Sequence, residues 1–97
     1  MGEVIREFEA PIDGHFIVRV YAASTEGRWR AWLDFISLRH GDLSRSGFVH
    51  SALSREALLD WAEALKDDEV RRALEDAEII GAGEMGRPPA EEAATSV

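Results

Sequence analysis

The segment at residues 28–38 constrains the fold more than any other stretch of this chain. It reads Arg-Trp-Arg-Ala-Trp-Leu-Asp-Phe-Ile-Ser-Leu, and its side chains alternate in character with a period of two. That period predicts a β-strand, because a helix would scatter the apolar positions around its circumference. One face of this strand is uniformly apolar, with Trp29, Ala31, Leu33 and Phe35. The opposite face mixes charged residues with Trp32 and Ile36.

Two earlier segments alternate in the same way and are also predicted strands, at residues 3–11 and 16–23. Pro11 cannot donate to a strand ladder, so the first strand ends there or lies at an edge. Residues 12–14 and 24–27 carry Asp, Gly and Ser and are predicted turns. Residues 43–53 stay ambiguous between strand and loop, with a short fourth strand as one possibility.

Two helices are predicted after the strands. Ser54 is a suitable N-cap, and residues 55–66 carry an apolar stripe with helical spacing, formed by Leu58, Trp61, Ala62 and Leu65. Three acidic residues at 67–69 interrupt this stripe. Either the helix kinks there, or a second short helix begins and covers residues 68–77.

These elements predict one α+β domain over residues 1–80. Its sheet is an antiparallel meander of three or four strands, and the long helix at 55–66, placed toward the C-terminus, packs on one face. Residues 81–97 contain three glycines and two prolines with few apolar anchors, so we expect a disordered tail.

The composition restricts the class of protein. The chain has 97 residues and no cysteine, which excludes disulfides and thiolate chemistry and fits a reducing compartment. No apolar run approaches the ~20 residues that cross a bilayer, and the N-terminus lacks the apolar region of a signal peptide. A cytoplasmic protein without membrane contact is therefore expected. The net charge of −8 opposes binding to nucleic acids, and the half at residues 51–97 carries −7 of it.

Candidate catalytic and ligand-binding residues form no recognisable constellation. His15, His40 and His50 match no zinc-ligand spacing. A metal site or an acid–base pair built from His and Asp is the alternative interpretation of these residues. The serines before the predicted helix lack the Gly-x-Ser-x-Gly pattern, and the glycines after residue 80 lack dinucleotide-binding spacing. We therefore predict no enzyme activity, no cofactor and no metal.

The second face of the sheet is the candidate functional surface. A single helix covers only one side of such a sheet, and Trp, Tyr and Arg are enriched at interaction hot spots. A cross-strand pair between Asp34 and either Arg19 or Arg30 is also expected. The predicted interface comprises Ile17, Arg19, Tyr21, Arg30, Trp32, Asp34 and Ile36.

Two resemblances accompany this pattern. The order of four strands and a helix, with Gly27-Arg28-Trp29 entering the third strand, resembles the repeat of Pur-alpha-type single-strand binders. That resemblance implies bases stacked on an open sheet face. Ser54-Arg55-Glu56-Ala57-Leu58 is similar to the helix start of HicB-type antitoxin domains, but the Pro-Gly-Cys turn of that family is absent. Neither resemblance assigns a functional residue.

The sequence thus predicts a small, acidic, bacterial-type interaction module that is not an enzyme. We expect it to form a homodimer through the open sheet face, the commonest symmetric solution, or to bind an unidentified protein partner. The alternative is a single-stranded nucleic-acid binder that uses Arg19, Tyr21, Arg30 and Trp32 of the same face.

Overall fold

The structure is a computed structural model that describes residues 2–89. It has an α+β architecture in which an antiparallel sheet carries two helices. The strands are β1 (Glu3–Glu7), β2 (Phe16–Thr25), β3 (Arg28–Ser37), β4 (Leu43–Arg45), β5 (His50–Ala52) and β6 (Glu78–Ile80). The helices are α1 (Arg55–Ala64) and α2 (Asp67–Glu75), and a short 3₁₀ helix follows at Ala82–Glu84.

The β2–β3 hairpin is the centre of the sheet. Its two strands are paired without interruption from Phe16 opposite Ser37 to Thr25 opposite Arg28. Glu26 and Gly27 make the turn with φ angles of 54° and 80°, which is the conformation that matches the twist of a two-residue hairpin. The strand order is β1-β2-β3-β4-β6, and β5 also pairs with β3.

β4 and β5 follow the same edge of β3, and Ser46 bridges the gap between them. Leu33 donates its backbone N–H to the Ser46 hydroxyl at 2.9 Å, and the Ser46 N–H donates to the Leu33 carbonyl at the same distance. These bonds satisfy backbone groups where the ladder is broken. The ambiguous residues 43–53 thus contain two short strands, β4 and β5, and Phe48 lies in the loop between them.

The helices begin where the sequence provides caps. The Ala57 N–H donates to the Ser54 hydroxyl at the start of α1, at 3.1 Å. α1 ends when the backbone becomes extended at Leu65, and a separate α2 begins at Asp67. The backbone N–H of Lys66 donates to the Glu69 carboxylate at 3.0 Å, so the acidic run that interrupts the apolar stripe serves as a helix start.

The main core lies between the helices and one face of the sheet. From β2 and β3 it receives Val18, Val20, Ala22, Ala31, Leu33 and Phe35, all buried. The helices contribute Leu58 and Ala62 from α1, then Val70 from α2. The predicted packing of the first helix on this face is confirmed, because its apolar stripe is the part that is buried.

Arg6 ties β1 to the helical layer. Its guanidinium donates to the carbonyls of Ala62 at 2.7 Å and Leu65 at 2.9 Å, at the C-terminal end of α1. The last carbonyls of a helix have no partner within the helix, so a cation is stabilising there. Glu3 of β1 also forms an ion pair with Arg55 at the start of α1.

The architecture departs from the predicted meander in three ways. The sheet is larger, because β6 returns after the helices and pairs with β4, with Leu43 opposite Ile80. The helices consequently lie in the middle of the chain rather than at its C-terminal end. β1 also ends at Glu7, well before Pro11, and residues 8–15 form a long connection to β2.

Candidate functional site

The second face of the sheet, opposite the helices, carries side chains in rows that cross the strands. Residues that pair directly across antiparallel strands share a face, so the register defines each row. The aromatic row runs through β1, β2 and β3 and consists of Val4, Tyr21 and Trp32. The charged row crosses five strands and consists of Glu7, Arg19, Asp34, Arg45 and Glu78. The apolar row crosses four strands and consists of Ile17, Ile36, Leu43 and Ile80.

The aromatic row is covered. Trp32 has no exposed surface and Tyr21 is 6% exposed. The two rings stack with centroids 5.7 Å apart and an angle of 11° between their planes. Phe48 packs its ring edge-on against Trp32 at 6.0 Å, and Gly2 lies so close to the indole that a Cβ there would collide with it. The rings therefore form a second, smaller core.

A C-terminal segment at residues 82–89, here called the strap, completes this cover. Gly86, with φ of 78°, lies against Tyr21 and is buried. Its backbone N–H donates to Oδ2 of Asp34 at 3.0 Å, and its carbonyl accepts from the Gly2 N–H at 2.7 Å. The two ends of the described chain thus meet over Trp32.

Arginines of the charged row hold the strap on either side of Gly86. Arg45 donates to the Arg87 carbonyl at 3.2 Å and lies 3.6 Å from the Glu84 carboxylate. Arg19 approaches the Met85 sulfur to 4.0 Å and forms an ion pair with Glu7 at 3.0 Å. The strap is therefore held mainly by polar contacts from the sheet.

Asp34 is the buried centre of the charged row. Its side chain is 1% exposed, and burial raises the pKa of its carboxyl above the usual 3.8. The Gly86 N–H and the Arg45 guanidinium oppose that rise. The nearby Trp32 indole N–H also acts to lower the pKa of Asp34, although its geometry is not that of a hydrogen bond. Oδ1 of Asp34 has no hydrogen-bond partner within residues 2–89. Of the two arginines expected beside Asp34, Arg19 lies directly opposite it on β2, whereas Arg30 is opposite Ala23 and Ser51. Arg45 on β4, which was not expected there, is the other residue directly opposite Asp34.

The apolar row is the part of this face that stays accessible. Each of its residues is half-buried, and the strap contacts described above are with the other two rows. Leu38, which directly follows β3, is also exposed, at 53%. Ile79 is exposed too, but it alternates with Ile80 along β6 and therefore lies on the other face of the sheet. A contiguous apolar surface remains where β2, β3, β4 and β6 lie side by side.

The structure thus divides the predicted interface into two groups. Tyr21, Trp32 and Asp34 are buried, which corrects the prediction that the sheet face is open at these positions. Ile17, Arg19, Arg30 and Ile36 are half-buried, and the guanidinium of Arg30 lies 5.2 Å from the Phe48 ring centroid. The main cause is that residues 82–89, which were expected to belong to a disordered tail, lie across the sheet. Phe48 and Gly2 complete the cover over Trp32.

That burial also bears on the nucleic-acid alternative. A base that stacks on a protein requires an accessible ring face. The rings of Tyr21 and Trp32 are stacked on each other and covered by Gly86 and Gly2. The stacking surface implied by the Pur-alpha-type resemblance is therefore occupied by the chain itself.

Sequence reasoning missed the strap and half of the apolar row, since Ile17 and Ile36 were predicted interface residues but Leu43 and Ile80 were not. The glycine-rich residues 81–86 were predicted to begin a disordered tail, and their spacing excluded a dinucleotide motif. Leu43 and Ile80 lie in segments without a firm strand prediction. A usable signal was present in β3, where Trp32 and Asp34 together require a partner layer that one helix cannot supply. The remaining residues 90–97 of the predicted tail lie outside the described part of the chain.

The three histidines contact different partners. His50 stacks on Trp61 of α1 with centroids 4.7 Å apart, and His15 contacts the edge of Phe16 at 6.1 Å. The backbone N–H of His40 donates to the Ser37 hydroxyl at 3.1 Å. Within residues 2–89, no three His, Asp or Glu side chains are arranged to hold a metal ion.

Comparison of the chain with protein-family models, curated proteins and solved structures finds no match. Neither helix among residues 2–89 combines the length and apolar character needed to cross a membrane. Functional inference therefore depends on the geometry of the second face.

Proposed function

We propose that this protein is a non-enzymatic interaction module that binds a second copy of itself through the apolar row. The observation that supports this proposal is the partly buried apolar strip formed by Ile17, Ile36, Leu43 and Ile80. Such a strip on a rigid sheet is typical of association surfaces, and a symmetric pair buries the same strip on both copies. A cytoplasmic location is part of the proposal and fits the absence of cysteine.

The charge distribution favours this face over the helical face for self-association. Residues 55–75 of the helical layer carry seven acidic and four basic side chains, so two such layers repel each other. The strands of the second face are close to neutral, because four arginines (Arg19, Arg28, Arg30 and Arg45) face three carboxylates (Glu7, Asp34 and Glu78), an excess of one positive charge. Two copies of this acidic protein therefore approach with the least repulsion through the sheet.

The scattered contacts of the histidines support the non-enzymatic part of the proposal. A general base needs a reacting group within hydrogen-bond reach, and a nucleophile needs an adjacent base. His50 and His15 instead contact aromatic rings, and Ser46 and Ser54 serve the backbone. These side chains have structural partners that account for their positions.

The oligomeric state tests the proposal. We expect sedimentation or light scattering to report a dimer at high micromolar concentration. Leu43→Asp and, separately, Ile80→Lys each place a charge in the row and should shift the protein to monomer. Leu53→Asp is the matched control, since Leu53 is 83% exposed and lies in the connection before α1.

Circular dichroism distinguishes a lost interface from a lost fold in these variants. Ile80 lies on the edge strand β6, so its replacement is the gentler of the two changes. A wild-type protein that stays monomeric at high micromolar concentration would contradict the proposal. So would a dimer that is unaffected by both variants.

A further inference from the structure

The strap occupies the aromatic row as a bound peptide would. Its contacts with the sheet are largely made by backbone atoms, namely the Gly86 N–H, the Gly86 carbonyl and the Arg87 carbonyl. We propose that the strap exchanges between two copies, so that Glu84–Arg87 of one copy covers Trp32 of the other. This inference rests on the proposed self-association and names the segment that would link the two copies.

The recognition chemistry of this cleft is specific for glycine at one position. The φ of Gly86 is 78°, in the left-handed region that favours glycine, and a Cβ there would lie 3.3 Å from the Tyr21 ring. The Gly86 N–H meets the buried Asp34 carboxylate, while Arg45 faces the carboxylate of Glu84. The cleft therefore selects an acidic residue followed two positions later by glycine.

The strap is anchored lightly enough to be released. Gly86 is its buried residue, whereas Ala82, Gly83 and Glu84 are exposed. Gly81, which joins the strap to β6, has no Cβ to restrict its backbone, and no atom lies within 4 Å of the position that a Cβ would take. A segment with few buried apolar contacts opens at low cost.

A second copy is the occupant that the chemistry favours. Exchange reproduces every strap contact with identical atoms, which makes it an inexpensive route to a dimer. The strap also lies beside the proposed association surface, because Met85 contacts Arg19 and Arg19 separates the aromatic row from the apolar row. Two copies held by their apolar rows would bring each strap near the neighbouring cleft at high effective concentration.

Cross-linking of single-cysteine variants tests the exchange, and the chain has no native cysteine to interfere. Arg19→Cys and Met85→Cys mark the sheet and the strap at a known contact. A chain that carries both changes should cross-link internally with a short bismaleimide, which verifies the geometry. Single variants that are mixed, incubated and treated with the same reagent should yield a covalent heterodimer.

Two controls identify the strap as the cause. Adding Gly86→Val to the Met85→Cys chain should reduce the heterodimer by roughly tenfold, because valine is strained at that φ and meets Tyr21. Mixing Met85→Cys with Asp60→Cys, which lies on the outer side of α1, should give only background cross-linking.

The outcomes separate the two proposals. A dimer in light scattering that gives no heterodimer cross-link would overturn strap exchange and leave association through the apolar row. A wild-type monomer would overturn both. A heterodimer cross-link that persists undiminished with Gly86→Val would show that the two cysteines meet without the strap in its cleft, which also overturns the exchange.

Discussion

The backbone N–H of Gly86 donates to Oδ2 of Asp34 at 3.0 Å, between residues separated by 52 positions in the sequence. This bond joins the strap to the centre of the sheet. Asp34 is buried, so its carboxyl oxygens need such donors. Gly86 reaches it because a residue without a side chain can lie against Tyr21. The relationship explains why the second face is closed over its aromatic row and accessible over its apolar row.

Replacing Gly86 should open the strap. Gly86→Val forces a branched residue to a φ of 78° and places its Cβ 3.3 Å from Tyr21, a strain of about 1–3 kcal/mol. We expect the indole N–H of Trp32 to exchange faster with solvent, as measured by NMR. Gly83→Val is the matched control, since a Cβ there meets nothing within 4 Å. Equal exchange rates in the two variants would contradict the assignment of Gly86 as the anchor.

Trp32 and Trp29 should contribute unequally to stability. The alternation of β3 suggests that Trp29 belongs to the main core, and it does pack against that core, but it is only half-buried. Trp32 is fully buried between Tyr21 and Phe48. We expect Trp32→Ala to lower the free energy of unfolding by about 3–5 kcal/mol and Trp29→Ala to lower it by less, in urea denaturation. The reverse order would argue against the closed second face.

The pH dependence of stability should report the burial of Asp34. Its pKa is raised above 3.8 in the folded state, so the ionised carboxylate lowers stability at neutral pH. That cost disappears as the pH falls through the raised pKa toward 3.8. Wild type and Asp34→Asn should be compared by urea unfolding from neutral pH to about pH 4. The free energy of unfolding of wild type should rise relative to that of the variant as the pH falls.

Glu3 provides the control of opposite sign. Its pKa is lowered by the ion pair with Arg55, so its contribution is present at neutral pH and is lost as the pH falls. The free energy of unfolding of wild type should therefore fall relative to that of Glu3→Gln as the pH is lowered. A parallel trend for Asp34→Asn and Glu3→Gln would be inconsistent with desolvation as the main influence on Asp34.

The β2–β3 turn offers a stabilising substitution. Glu26 has a φ of 54°, a conformation in which asparagine is favoured over glutamate. Glu26→Asn should raise the free energy of unfolding by about 0.5–1 kcal/mol. Glu26→Ala removes the same charge without the conformational benefit, and it should be neutral or destabilising. Thermal or urea unfolding of the three proteins measures the difference.

The main architecture was predictable from local patterns in the sequence. The alternation at residues 16–23 and 28–38 identified β2 and β3, and the spacing of Leu58, Ala62 and Leu65 identified the buried side of α1. Ser54 marked the start of that helix correctly. These features succeed because periodicity and caps are properties of neighbouring residues.

The second face was less predictable because its structure depends on contacts between distant parts of the chain. β6 has only three residues, too few for a periodic pattern, and it pairs with β4 after two intervening helices. The strap is rich in glycine and proline, a composition that also describes disordered tails. Its role depends on Gly86 meeting Asp34, which no local pattern in the sequence records.

The charged row has a consequence for how the strands find their alignment. A strand that slides by two residues keeps its inward and outward sides, so hydrophobic alternation alone tolerates the error. Such a slip of β4 would bring Leu43 opposite Asp34, or Arg45 opposite Ile36, and would separate Asp34 from its neighbouring cation. The alternating charges of the charged row therefore favour the observed strand register and destabilise registers that are shifted by two residues.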